Sequence, residues 1–291
     1  MSDAVGFIVA LGLFGTLLVA NLAQTLSLVL LPFSRRAFRS CNRFCAGGWW
    51  SLCVETGRIV YGARLVQTGD EIPPGKNAIL IANHQSMVDI FVLMMVARPR
   101  GRIGDLKWFV KDIVKYVPGI GWGMLFLDCL FVKRDWNADK ARIAATFAKF
   151  QRDQIPIWLV SFVEGTRATP AKLARSQAYA REKGLPVLQR VLVPRSKGFA
   201  ASVQGLHGHA DAVYDLTIAY PQGIPGIWQL LNGTATEFHV HVRRFPVADL
   251  PSSSPELTAW LNARYLEKDA WLGEFEKTGS LGLRPTVTTL P

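Results

Sequence analysis

The sequence predicts an α/β domain, a mixed sheet flanked by helices, preceded by an N-terminal membrane-bound helical pair. Three observations carry this. Residues 5–33 contain no charged side chain, and about 20 apolar residues suffice to cross a bilayer core. From residue 63 onward, short apolar runs alternate with longer helical patterns, as in α/β folds. Two of those runs, AILIA at 78–82 and PIWLVSFV at 156–163, suit buried strands.

The elements follow in order. The first apolar segment is interrupted only by polar residues such as Asn21 and Gln24. No Lys or Arg precedes it and its apolar run is long, which argues against a secretory signal. Arg35, Arg36, Arg39 and Arg43 follow it, so the positive-inside rule places the remainder on the cytoplasmic side. Residues 36–62 read as a second helix, in which Trp49 and Trp50 suit the headgroup region. Residues 62–70 read as a strand, 72–77 as a turn, 78–82 as a strand and 86–97 as a mostly buried helix. Residues 107–123 form a basic, aromatic segment broken by Pro118 and glycines. A strand at 127–134, an amphipathic helix at 137–153 and the strand at 156–163 come next. Thr169 and Pro170 open a helix ended by Gly184. Residues 185–194 and 212–220 are strand-like. Residues 237–245 alternate, with Phe238, Val240 and Val242 on one face. A last helix starts at Ser254-Pro255-Glu256 and runs to about residue 276, and a loose polar tail follows. The chain thus divides into a membrane-associated two-helix region (1–62), an α/β domain (63–250), and a C-terminal helix with its tail (251–291).

Composition narrows the function. A formal net charge of +11 points to anionic partners, and no basic-aromatic module for nucleic acid is present. Membrane phosphates or a phosphorylated substrate remain. Cys41, Cys45, Cys53 and Cys129 include no C-x-x-C pair, so neither a zinc ribbon nor a redox motif is indicated. A cytosol-facing domain keeps such thiols reduced.

Two strand ends carry chemistry. His84 lies one step beyond the strand 78–82, where open α/β sheets place their ligands. Ser86 and Asp89 form a Ser-x-x-Asp capping pattern at the start of the next helix. A carboxylate in that first turn points back toward His84. It can accept the Nδ1–H of His84 and leave Nε2 free to take a proton. The ordinary reading, a capped helix beside a satisfied histidine, is compatible with this one. The second strand end is Glu164-Gly165-Thr166-Arg167, whose backbone N–H groups, hydroxyl and guanidinium suit a phosphate monoester. Its ordinary reading is a glycine turn with two solvated charges. Lys107, Lys111, Lys115, Lys133 and Arg134 form a third, basic group. For Lys107 and Lys115 the expected role is covering apolar surface at the membrane edge.

The ordered combination is more specific than any part. Asn83-His84-x4-Asp89, Lys111 with Pro118-x-x-Gly121, Val132-Lys133-Arg134, Glu164-Gly165-Thr166-Arg167 and LVPRSKGF at 192–199 resemble the lysophosphatidate acyltransferase family. YPQGIP at 220–225 and TEFHVHVRRFP at 236–246 are similar to its longer, eukaryotic-like branch. Where the family commonly has Lys-x-Glu-Leu, this chain reads Lys111-Asp112-Ile113-Val114, with the acidic residue displaced. The resemblance implies acyl transfer from acyl-CoA or an acyl carrier protein thioester to a lysophospholipid hydroxyl, with no cofactor or metal. It implies His84 as general base, Asp89 as its orienter, and Glu164, Gly165, Thr166 and Arg167 around the acceptor phosphate. Lys111 and Arg134 are further anion contacts, and anionic membrane lipids are partners.

Other readings are weaker. A serine hydrolase using Ser86 lacks the Gly-x-Ser-x-Gly elbow. The pairs His207-x-His209 and His239-x-His241 make a weak zinc signal without carboxylate or cysteine partners. A remodelling acyltransferase for another lysophospholipid shares all the motifs. A non-enzymatic lipid-binding membrane protein fits the charge alone.

Overall fold

Strand order decides where chemistry can occur in this molecule. The computed structural model describes residues 3–133, 135–281 and 288–289. The strands are β1 (Arg64–Gly69), β2 (Ala78–Ala82), β3 (Leu106–Lys111), β4 (Leu130–Val132), β5 (Trp158–Ser161), β6 (Ala212–Ala219), β7 (Glu237–Pro246) and β8 (Thr288–Thr289). They form one mixed sheet in the order β4-β3-β5-β2-β6-β7-β1-β8. From β4 to β6 the neighbours are parallel, so the ends of β2, β3, β4 and β5 open on one edge. β7 is antiparallel to β6, and β1 is parallel to β7.

The helices are α1 (Asp3–Leu26, continued as a 3-10 turn to Leu30), α2 (Arg35–Tyr61), α3 (Val88–Ala97), α4 (Ile120–Phe126), α5 (Trp136–Arg152), α6 (Pro170–Glu182), α7 (Ser196–Gly205), α8 (Ile227–Leu231) and α9 (Ser254–Thr278). Strand alternation sorts them onto two faces. Ala78, Leu80 and Ala82 of β2 join a core with Trp50 and Val54 of α2 and Val88 and Val92 of α3. Ile79 and Ile81 face Ile143 and Phe147 of α5, Phe199 of α7 and Leu257 and Leu261 of α9. Every position of β2 is buried, which is why its sequence shows no alternation.

Local chemistry sets several boundaries. The Ser34 hydroxyl accepts the Ala37 N–H (3.1 Å) to open α2, and Gly62 closes it at φ 66°. A left-handed residue there satisfies the last carbonyls without a Cβ penalty. The stretch Asp3–Leu30 is long and apolar enough to cross a membrane. Its outer face exposes Phe7, Leu11, Phe14, Leu18 and Leu22. Its inner face is fixed to the rest of the chain. Asp3 Oδ1 accepts hydrogen bonds from Trp228 Nε1 and Asn232 Nδ2, both 3.1 Å. Farther along, a Cβ on Gly119 would come within 2.9 Å of Leu17, so α4 meets α1 through a glycine.

Four expectations need correction. Residues 185–194 are not a strand, because side chains take the N–H groups a neighbouring strand would have used. Asp269 accepts those of Gln189 and Arg190, Glu164 that of Leu192 and Ser176 that of Val193. Trp50 is not presented to a headgroup layer but lies in the core, and its half-buried neighbour Trp49 donates through Nε1 to Leu13 O (3.0 Å) across the α1–α2 contact. Lys107 covers no membrane edge. It is buried within β3, where burial lowers its pKa. The last helix starts at Ser254 as expected, with Ser253 as its cap. In the tail, Thr288–Thr289 pairs with β1.

Candidate active site

The site starts from a clamp. Asn83, just past β2, donates through Nδ2 to Ile218 O (2.9 Å) and accepts the Ile218 N–H at Oδ1 (2.8 Å). This amide replaces the ladder bonds that β2 and β6 stop making there, and it fixes the backbone entering His84.

His84 Nδ1 lies 2.8 Å from Asp89 Oδ2. The same carboxylate oxygen accepts the N–H groups of Gln85 (2.7 Å) and Ser86 (2.9 Å), and the Tyr220 hydroxyl donates to Oδ1. Four donors converge on a fully buried carboxylate. The carboxylate is the acceptor in all four, so Nδ1 carries the proton and Nε2 presents its lone pair. The imidazole stacks on Phe162, with centroids 4.0 Å apart and planes at 15°. Ring and carboxylate together hold one rotamer, and the side chain keeps 12% of its surface exposed.

Ser86 is not placed as a nucleophile. Its hydroxyl donates to Pro225 O and accepts the Val88 N–H (3.1 Å). The capping pattern is therefore only half formed, and α3 begins two residues after Ser86.

The second strand end adjoins the first. His84 N–H donates to Glu164 Oε1 (2.9 Å), and Ala168 N–H donates to His84 O (2.7 Å). Glu164 also accepts the Leu192 N–H (3.1 Å) and is fully enclosed. Burial pushes its carboxyl up to about 8, although both N–H bonds favour ionisation. Between the usual carboxylate value and that one, the native state holds a proton that the unfolded chain has released. This group's contribution to stability therefore falls as pH rises from about 4.5 to about 8, by at most about 1.4 kcal/mol per pH unit. Glu164→Gln removes the ionisation. The wild type is expected to lose melting temperature relative to this variant between pH 5 and 8 in a thermal-melt series. Parallel curves would contradict the assignment.

Gly165 sits at φ 71°, a conformation that suits glycine. A Cβ there would lie 3.1 Å from the Arg195 side chain. Thr166 Oγ1 accepts from Lys172 Nζ at 2.5 Å. The Arg167 guanidinium is exposed and makes no hydrogen bond or ion pair among the described residues. Lys111 ends β3, with β5 between it and β2. Two strand spacings put it roughly 10 Å along the edge from the histidine strand. Arg134 lies outside the described residues. The paired histidines have partners of their own: His239 Nε2 meets Glu237 Oε1 (2.7 Å) and His241 Nδ1 meets Thr68 Oγ1 (2.9 Å).

Sequence reasoning missed Tyr220, Phe162, Lys172 and Arg195. Tyr220 opens YPQGIP and Arg195 sits in LVPRSKGF, two stretches that stood out as motifs without showing what their side chains touch.

The family model described as Acyltransferase matches residues 64–221, and one described as Acyltransferase C-terminus matches 229–290. A protein of Arabidopsis thaliana named probable 1-acyl-sn-glycerol-3-phosphate acyltransferase 5 is 34% identical over 254 residues, covering 87% of this chain and 68% of its own. Lysocardiolipin acyltransferase 1 of Danio rerio is 35% identical over 276 residues, covering 94% and 70%. Among solved structures, that of the 1-acyl-sn-glycerophosphate acyltransferase from Thermotoga maritima is similar with a TM-score of 0.55. It covers 96% of this chain and 100% of its own at 16% identity, a likeness of fold.

Proposed function

The chain belongs to the acyltransferase family, and from that premise we propose that it moves a fatty acyl group from an acyl thioester to the free hydroxyl of lysophosphatidate. The product is phosphatidate. One observation carries the reading: the His84–Asp89 pair is joined to the Glu164–Arg167 turn by two backbone hydrogen bonds of 2.9 and 2.7 Å. A base and an anion-binding turn are thereby held side by side.

In this reading His84 Nε2 takes the proton of the acceptor hydroxyl as its oxygen attacks the thioester carbonyl. The C–O bond forms, a tetrahedral oxyanion collapses, and the C–S bond breaks. The imidazolium returns its proton to the leaving thiolate. Asp89 offsets the transient positive charge, and the Phe162 face adds a cation–π contact. Thr166 and Arg167 hold the acceptor phosphate, so that the hydroxyl reaches the base in a fixed position. Lys111 and Arg134 are assigned to anionic groups of either substrate. The donor is acyl-CoA or an acylated carrier protein.

An apolar helix suited to membrane attachment supports the reading, since the lysolipid acceptor and the phosphatidate product both partition into bilayers. The exposed face of α1 supplies apolar surface, and Arg35 and Arg36 beside it suit anionic lipid headgroups, each worth about 1 kcal/mol. The likeness to lysocardiolipin acyltransferase favours a second reading, remodelling of another lysophospholipid.

The test is an assay of the detergent-solubilised protein with a panel of lysophospholipids and both donor types. Lysophosphatidate is expected to give the highest kcat/KM. Arg167→Ala is expected to raise the acceptor KM by about tenfold, as loss of a charge-assisted hydrogen bond does, with the donor KM unchanged. Preference for lysocardiolipin would select the second reading. Equal changes in both KM values would refute the phosphate assignment.

A further inference from the structure

About half of the basic side chains are paired with carboxylates: Arg39, Arg43, Arg102, Arg190, Arg243 and Lys268 are examples. Around the Gly165 turn three unpaired ones gather. Arg167, Lys172 and Arg195 surround three consecutive residues, and none has an ion-pair partner among the described residues. Arg195 crosses over Gly165, reaching within 3.1 Å of where a Cβ would stand. Lys172 Nζ reaches Thr166 Oγ1 (2.5 Å) and the Arg167 carbonyl (3.5 Å). The turn's one carboxylate, Glu164, faces inward onto two backbone N–H groups and offers these cations nothing. Three cationic side chains carried on or over one short turn have no counter-charge there, and a multiply charged anion would supply it.

Lys172 has a more particular effect. An ammonium is a donor only. By donating to Thr166 Oγ1 it makes that oxygen an acceptor, and the hydroxyl hydrogen must then point elsewhere. Thr166 becomes a committed donor toward whatever occupies the turn.

We propose that Lys172 and Arg195 complete, with Thr166 and Arg167, a corner fitted to a dianionic phosphomonoester, and that Lys172 is the positioning residue that sets preference for it over a singly charged phosphodiester. This rests on the function proposed above and deepens it. A phosphomonoester carries close to two charges at neutral pH and offers three terminal oxygens, enough for a hydroxyl and two or three cations. A diester offers two oxygens and one charge, so it gains little from the additional cations.

The test compares wild type, Lys172→Met and Lys172→Arg. Kinetics use lysophosphatidate and lysophosphatidylglycerol in matched micelles. Calorimetry uses the soluble probes glycerol 3-phosphate and glycerophosphoglycerol, which need no turnover. Lys172→Met is expected to raise KM for lysophosphatidate about tenfold with kcat within about twofold, and to leave KM for lysophosphatidylglycerol within about twofold. It should weaken glycerol 3-phosphate binding by a similar factor. Lys172→Arg, which keeps a charged donor, should restore most of the preference. Equal losses on both acceptors, or a fall in kcat at constant KM, would overturn the proposal. Should the wild type bind the monoester selectively yet acylate neither lipid, the corner would stand and the assigned reaction would fall. Should it acylate both without Lys172 mattering, the reverse holds.

Discussion

His84→Ala is expected to lower kcat by about 10²- to 10⁴-fold, the range of a positioned general base, with both substrates saturating. The fold should survive. Without the imidazole, Asp89 still accepts from Gln85, Ser86 and Tyr220, so no buried charge is left unpaired. The backbone bonds of residue 84 to Glu164 and Ala168 do not involve its side chain. Circular dichroism and lipid-vesicle association should match wild type, and the acceptor KM should change little. A rate within tenfold of wild type would remove His84 from the chemistry.

Asp89→Asn is the second large effect, and it separates charge from shape. The amide is nearly isosteric. With its oxygen turned to Gln85, Ser86 and His84, its nitrogen faces a Tyr220 hydroxyl that can turn to accept. The negative charge that balances a protonated imidazole is gone. A kcat loss of about 10²- to 10⁴-fold is therefore expected, with acceptor KM near wild type because the turn proposed to hold the phosphate is a separate one. Unfolding in urea should register a loss of about 1–3 kcal/mol, the scale of one compromised buried acceptor. Asp89→Ala should be far less stable, since it strands the N–H groups of Gln85 and Ser86, the Tyr220 hydroxyl and the His84 ring. An Asn variant with normal kcat would mean that the carboxylate only caps α3.

Much of the site was legible because it is local. His84 and Asp89 are five residues apart, and a strand end followed by a helical turn leaves few ways to arrange them. The strands at 78–82, 156–163 and 212–220 were legible for the same reason: apolar runs of that length between turn residues have few alternatives. What escaped is set by tertiary contact. Tyr220 reaches Asp89 across 131 positions, and nothing near residue 220 announces that distance. Residues 185–194 have the composition of a strand, but carboxylates of Asp269 and Glu164, neither of them local, supply the acceptors. Trp49 and Trp50 resemble interfacial aromatics in composition. Only the packing of α2 between α1 and the sheet decides that they face inward.

The bond between Asp3 and the α8 region brings the greasy helix close to the chemistry. From Asn232 and Trp228 the chain leads back to Pro225, whose carbonyl holds Ser86, two residues from His84. On the proposed membrane-bound reading, a lysolipid keeps its tail in the leaflet while its headgroup approaches the imidazole. Lifting a sixteen-carbon tail into water would cost on the order of 10 kcal/mol at about 0.8 kcal/mol per methylene. An enzyme laid out in this way need never meet that barrier, and its turnover would follow the two-dimensional concentration of lysolipid rather than the bulk one.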